Sequence, residues 1–362
     1  MTTDALFSKR HAGPLAIAAA AFALPLVTGD PYQLHLAALI AVYWILIAGL
    51  NLVVGYSGQL SIGHVGLLSI GAYAFAILAG KAGWHPALAV AAAGALGGLC
   101  GLGLGLPSLR LPGFYFAMAT MAFALIVNEI VLAQVELTGG GIGLPGPTFP
   151  APFDTPGGFY WLVALVAGAV TWMSWNIARR MWGRGLMAIR DNPVTAQAVG
   201  VPVFRAKLVV FVFSGVTAGV AGALFSSLQS YITPDTFVFE LSLFFFVCII
   251  VGGRGSILGP FLGTVVLTVL PEMVAPLAKL GHFFYGLLLL AVVLLVPEGI
   301  GRMVEMAGER LRPKRVPHAA IEPELPRLAR ALAEGQGAAA PAASTQAPPA
   351  QAAAGQHQGA RA

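Results

Sequence analysis

Long apolar stretches separated by short polar punctuation fill the chain from residue 14 to residue 297. They run approximately over 14–29, 33–54, 60–80, 86–106, 114–134, 159–177, 208–228, 237–251, 257–277 and 281–297. Most approach the roughly 20 residues that a helix needs to cross the hydrocarbon core of a bilayer. Backbone polar groups find no water there, so an isolated spanning segment must satisfy them internally, as an α-helix does. The pattern predicts an all-α membrane protein, a polytopic helical bundle of about 10 transmembrane helices. Eight is the lower count, because 14–29 and 237–251 are short and 257–297 is poorly punctuated.

The basic residues orient this bundle. Alternating the spans from a cytoplasmic N-terminus puts Lys9, Arg10 and Arg110 inside, with the cluster Arg179, Arg180, Arg184, Arg190, Arg205 and Lys207, then Arg254 and the tail from Arg302. Only Lys81 and Lys279 fall outside. This asymmetry predicts cytoplasmic N- and C-termini. Lys9 and Arg10 ahead of the apolar Pro14–Val27 resemble the start of a signal peptide, but Thr28-Gly29-Asp30-Pro31 offers no small-residue cleavage site, so the segment reads as a retained first helix. The resulting organisation is a cytoplasmic N-terminus (1–13), a transmembrane domain (14–301) and a cytoplasmic tail (302–362). From about residue 316 the tail is rich in Ala, Pro, Gln and Gly and reads as disordered.

Composition narrows the function classes. The chain is 57% hydrophobic and 10% charged, against about 25% charged in soluble domains. A soluble enzyme is excluded. The formal charge of +5 belongs to inner loops facing membrane lipid, and no nucleic-acid partner is implied. Cys100 and Cys248 lie inside apolar runs, where they act as small hydrophobes. The chain contains no G-x-x-x-x-G-K-[ST], G-x-S-x-G, H-E-x-x-H or C-x-x-C pattern, and its histidines are scattered. The expectation is a chain with no catalytic residue, no metal and no cofactor of its own. If it moves a solute uphill, the energy comes from an ion or from another subunit.

Two loops exceed a simple turn. The outer loop, 134–158, combines Thr138-Gly139-Gly140-Gly141 with five prolines, which predicts a folded re-entrant or capping segment. In the inner loop, 178–207, Asn192 suits a helix N-cap, Pro193 the first helical position, and Gly200 with Pro202 a stop. The short helix between them is either a connector with basic residues anchored at lipid headgroups, or a docking element whose small residues Thr195, Ala196 and Ala198 admit a partner backbone closely. Gly55, Gly58 and Gly63 interrupt a span and bring Ser57, Gln59, Ser61 and His64 to membrane depth. Such breaks line solute pathways or pack small residues at helix interfaces, and both readings stay open. Glu129 lies about two-thirds along its span and is either a buried functional acid or a residue of the outer interface. The pathway candidates are thus Gly58, Ser61, His64, Thr120, Glu129, Thr138 and Gly139.

The stretch Gly185-Leu186-Met187-Ala188-Ile189-Arg190-Asp191-Asn192 resembles the cytoplasmic coupling loop of the branched-chain amino-acid permeases of ABC importers, in their LivM-like branch. Three further blocks are similar to that family and occur in its order: Gly49–His64, Leu137–Leu144 and Val251–Pro260. The resemblance covers roughly Asp30 to Gly301. It implies a second, homologous permease subunit (LivH-like), two ABC ATPase subunits that hold ATP and Mg, a periplasmic substrate-binding protein, and location in the bacterial inner membrane. It also implies that Arg190, Asp191, Asn192, Thr195, Ala196 and Gly200 couple this chain to the ATPases, and that the solute is a branched-chain or other hydrophobic amino acid. Departures occur at Pro193 or Val194, where the family usually carries an acid, and at Leu125 and Asn128, where this branch often carries Glu and Arg. These keep urea, short amides and aromatic or organic acids in play as solutes. From a different class, an ion-coupled secondary transporter would need acids central in its spans, and only Glu129 approaches that.

Overall fold

The computed structural model describes residues 30–111 and 113–274. The expected spans 14–29 and 281–297, the N-terminal 1–13 and the tail 302–362 lie outside the described residues. Helix α1 (Pro31–Asn51) opens where the Asp30 carboxylate accepts the Tyr32 N–H at 3.0 Å and Pro31 occupies a position that needs no donor. It continues as a π-helical stretch, Leu52–Tyr56. An irregular segment, 57–63, then leads into α2 (His64–Phe75), which ends in a second π-helical stretch, Ala76–Lys81. Helices α3 (Pro86–Ser108) and α4 (Gly113–Ala133) follow, then the single turn α5 (Val135–Thr138) and the two-residue strand β1 (Leu144–Pro145). Helix α6 (Pro156–Arg179) leads to the short pair α7 (Met181–Asp191) and α8 (Pro193–Ala198), and to the long α9 (Val203–Gln229). Strand β2 (Tyr231–Ile232), a 3₁₀ turn (Pro234–Phe237), α10 (Phe239–Gly252) and α11 (Leu258–Val274) complete the described chain.

Among the described residues, seven helical segments are long and apolar enough to cross a membrane, and α11 contributes a shorter apolar helix. A multi-pass, all-α membrane protein follows. The exterior agrees with it: Leu88, Leu99, Leu165 and Trp172 are large, apolar and exposed, a surface suited to lipid tails and costly in water. The expected span 60–80 starts late, at His64, because the Gly58–Gly63 segment is irregular.

Helix α9 is the centre of the bundle and packs on α3, α2 and α1. Its contact with α3 is a seam of small residues. A methyl group added at Gly97 would run into the Gly215 carbonyl, and one at Gly219 into the Ala93 carbonyl. Lipid supplies no hydrophobic drive between helices, so backbone approach through such small residues is what holds them together. Polar ties supplement it, as where the Trp44 indole donates to Thr171 Oγ1 at 2.7 Å between α1 and α6.

The 134–158 loop is a cap and not a re-entrant helix. β1 pairs antiparallel with β2, Leu144 opposite Ile232, and Gly146 N–H donates to the Ser230 carbonyl. Ser227 Oγ donates to the Pro147 carbonyl at 2.7 Å, and Lys81 Nζ donates to the carbonyls of Glu136 and Leu137. Glycine and proline prevent a spanning helix here, and the freed backbone groups are satisfied by neighbours at the same end of the bundle.

Candidate functional site

At the opposite end, three chain segments far apart in sequence converge. The π-helical stretch ends with carbonyls that have no helical partner further along, and cations complement such a helix C-terminus. Arg190, one residue before the end of α7, fills that role: its Nη1 donates to the Gly55 carbonyl at 2.9 Å. Its Nε lies 3.5 Å from the Asp191 carboxylate. The turn between α10 and α11 closes the third side. There Asn51 Nδ2 donates to the Ser256 carbonyl at 2.8 Å, and Gly255, with φ +85°, leaves room for the guanidinium.

The coupling candidates behave as their residue types dictate. Asn192 Oδ1 accepts from Val194 N–H at 3.0 Å and from Thr195 N–H at 3.1 Å, so it is the N-cap of α8. Gly200, with φ +87°, follows as a left-handed stop. Ala196 is buried against the bundle, whereas Asp191, Asn192 and Thr195 are exposed. Val194 and Val199, each 73% exposed, present apolar side chains on the outward face of α8. A groove beside α8 is lined by Gln197, Val201, Pro202, Val203, Phe204 and Arg205.

The interrupted segment 57–63 is held at several points. Gly58 has φ +72°, and a methyl there would also lie 2.6 Å from Arg190 Cγ. Ser57 Oγ donates to the Val53 carbonyl at 2.7 Å. Ser61 Oγ meets His64 Nδ1 at 2.8 Å, and His64 Nε2 meets Ser214 Oγ of α9 at the same distance. Both ring nitrogens of this buried histidine are occupied within the chain. Ile62 N–H donates to Thr120 Oγ1 at 3.1 Å, and Gly63 touches the Thr120 backbone so closely that no side chain fits. Thr120 thus joins the interrupted segment to α4.

The remaining candidates lie apart. Glu129 is not buried in the chain: it is exposed on α4, in register with the exposed Met118, Ala122 and Leu125. Thr138 and Gly139 belong to the cap. Thr138 Oγ1 donates to the carbonyls of Val131 and Gln134, and Gly139, with φ +77°, ends α5. Asn51, Ser214 and Gly255 were not among the candidates read from sequence. Their partners lie 205, 150 and 65 positions away; Asn51 and Gly255 fall inside the family-like blocks Gly49–His64 and Val251–Pro260 without standing out there, and no local pattern marks Ser214. Among the described residues, no group of acidic, histidine and cysteine side chains could hold a metal ion.

Residues 32–293 match the family described as branched-chain amino acid transport system / permease component. The chain is 32% identical over 292 residues to the high-affinity branched-chain amino acid transport system permease protein LivM of Escherichia coli, covering 73% of this chain and 69% of that protein. It is 29% identical to the autoinducer 2 import system permease protein LsrC of Klebsiella pneumoniae, over 56% of this chain and 60% of the relative. It is 28% identical to the galactose/methyl galactoside import permease protein MglC of Haemophilus influenzae, over 51% and 56% respectively. No solved structure matches. A membrane-crossing bundle with a capped loop-helix at one end, matched over most of its described length, belongs to the family of branched-chain amino-acid transport system permease components.

Proposed function

We propose that this chain is the permease subunit of an ABC importer that carries branched-chain or other hydrophobic amino acids across the bacterial inner membrane. ATP hydrolysis in two separate ATPase subunits drives it, and a periplasmic binding protein delivers the solute. The observation that carries this reading is the loop-helix α8. It is capped by Asn192, stopped at Gly200 and buried only at Ala196, and it offers Val194 and Val199 outward. A mere connector has no use for two exposed valines, whereas a partner ATPase buries them. The basic residues around α7 and α8 support a cytoplasmic position for this end.

The solute pathway runs between this chain and a second permease, along the exposed face of α4. A carboxylate facing lipid costs about 2.5–3.5 kcal/mol at the centre of a span and less toward its ends; Glu129, four residues from the end of α4, fits a face met by water or protein. Met118, Ala122 and Leu125 give that wall an apolar character, and Glu129 offers one anionic group to a solute ammonium. The 32% identity to a branched-chain amino-acid permease supports the same solute class.

The test is affinity purification of the tagged chain from its native membrane in mild detergent. The expected result is recovery of one related permease and two ATPase chains with it. Recovery of the chain alone, with uptake that collapses with the proton gradient and not with ATP, replaces the importer by an ion-coupled transporter.

A further inference from the structure

Arg190 occupies a junction that its charge alone does not explain. Its guanidinium reaches two groups in different directions, the Gly55 carbonyl through Nη1 and the Asp191 carboxylate through Nε. Its aliphatic stem lies against Gly58, and Gly255 approaches Nη1 closely enough that an added methyl would sit 3.0 Å away. One side chain therefore links the end of α7, the π-helical end of α1 and the turn between α10 and α11. Beyond it, the segment 57–63 is fixed to α4 by Ile62 and Gly63 at Thr120.

Resting on the importer reading above, we infer that Arg190 is the positioning residue through which movement of α7 and α8 reaches the interrupted segment 57–63 and, through Thr120, the wall formed by α4. A π-helical stretch departs from the regular helical ladder, and the Gly55 carbonyl, one residue before its end, takes a bond from Arg190. The grip on that carbonyl comes from the exposed end of α7. The exposed Asp191 carboxylate lies 3.5 Å from Nε as an ion pair, so a partner that shifts the Asp191–Asn192 junction moves the Arg190 backbone and, through Nη1, the Gly55 carbonyl. Lysine cannot substitute, because its ammonium is a compact point charge without the planar guanidinium that bonds the Gly55 carbonyl while lying beside Asp191 and Gly255.

The experiment uses the full complex reconstituted in proteoliposomes, in a Cys100→Ala background carrying Leu60→Cys as a reporter within the segment. Maleimide labelling of that cysteine is compared with and without ATP, alongside solute transported per ATP hydrolysed. With Arg190 intact, ATP changes the labelling rate. In Arg190→Lys and Arg190→Gln the ATP response is lost and transport per ATP falls about 10-fold, while the ATPase subunits still co-purify and hydrolyse ATP. Gly58→Ala, which pushes on the Arg190 stem, gives the same uncoupling. Arg184→Gln, which removes a charge elsewhere on α7, leaves the ratio unchanged.

If Arg190→Lys transports and labels as the parent does, Arg190 supplies only charge and the inference is overturned. If neither Arg190 variant assembles with the ATPases, its role is structural and the inference falls equally. If the parent complex shows no ATP-driven uptake, the importer reading itself fails, a result visible before any Arg190 variant is made.

Discussion

His64 and Glu129 are both polar residues in apolar spans, and their surroundings give them opposite parts. His64 is buried and bonded at both nitrogens, to Ser61 and to Ser214. His64→Ala leaves two buried hydroxyls without those partners, each worth about 1–3 kcal/mol when unsatisfied. The expected outcome is a lower Tm in detergent, with the KM for uptake unchanged in the protein that folds. Glu129 is exposed, so Glu129→Gln changes stability by no more than about 0.5 kcal/mol, as surface substitutions do. It raises the KM for uptake, which dose-response measurement in proteoliposomes reads directly; an unchanged KM removes Glu129 from the pathway. At this scale the sequence revealed which side chains were chemically unusual and not what they touched. Asn192 was legible as an N-cap because its partners are two and three positions on. Ser214 was not, because it meets His64 across 150 positions and nothing local distinguishes it from other serines on α9.

The elements divide in the same way. The spans were legible from apolar run length, and the break near Gly55–His64 from its glycines. What run length does not encode is how the break is made: α1 loosens into a π-helical stretch before the chain turns irregular at residue 57. The seam between α3 and α9 depends on which glycines face each other, which only the crossing of the two helices decides. Gly219→Val drives a branched side chain into the Ala93 carbonyl and is expected to abolish folded protein in the membrane, measured by size-exclusion fluorescence. Gly168→Val on α6 meets open space and is expected to fold normally. On the loop-helix, Asn192→Ala removes both cap bonds, a loss of about 1 kcal/mol that frays the first turn of α8. The bundle keeps its Tm, because α8 buries only Ala196, while co-purifying ATPase declines. Val199→Asp gives the same decline by placing a charge where an apolar contact is expected.

For the whole molecule, the described spans, the lipid-suited exterior and the match over residues 32–293 agree on a multi-pass permease. Its two ends differ in kind. One is closed by the β1–β2 pair and by Lys81 on backbone carbonyls, and the other carries the exposed loop-helix and Arg190. That asymmetry suits a protein that receives solute at one face and force at the other. The most direct measurement is uptake of radiolabelled leucine, isoleucine and valine into proteoliposomes that hold the purified complex with ATP inside and binding protein outside. The account predicts accumulation that requires ATP, is abolished by a hydrolysis-deficient ATPase subunit and persists without an ion gradient. Accumulation that follows a proton or sodium gradient and ignores ATP would contradict it.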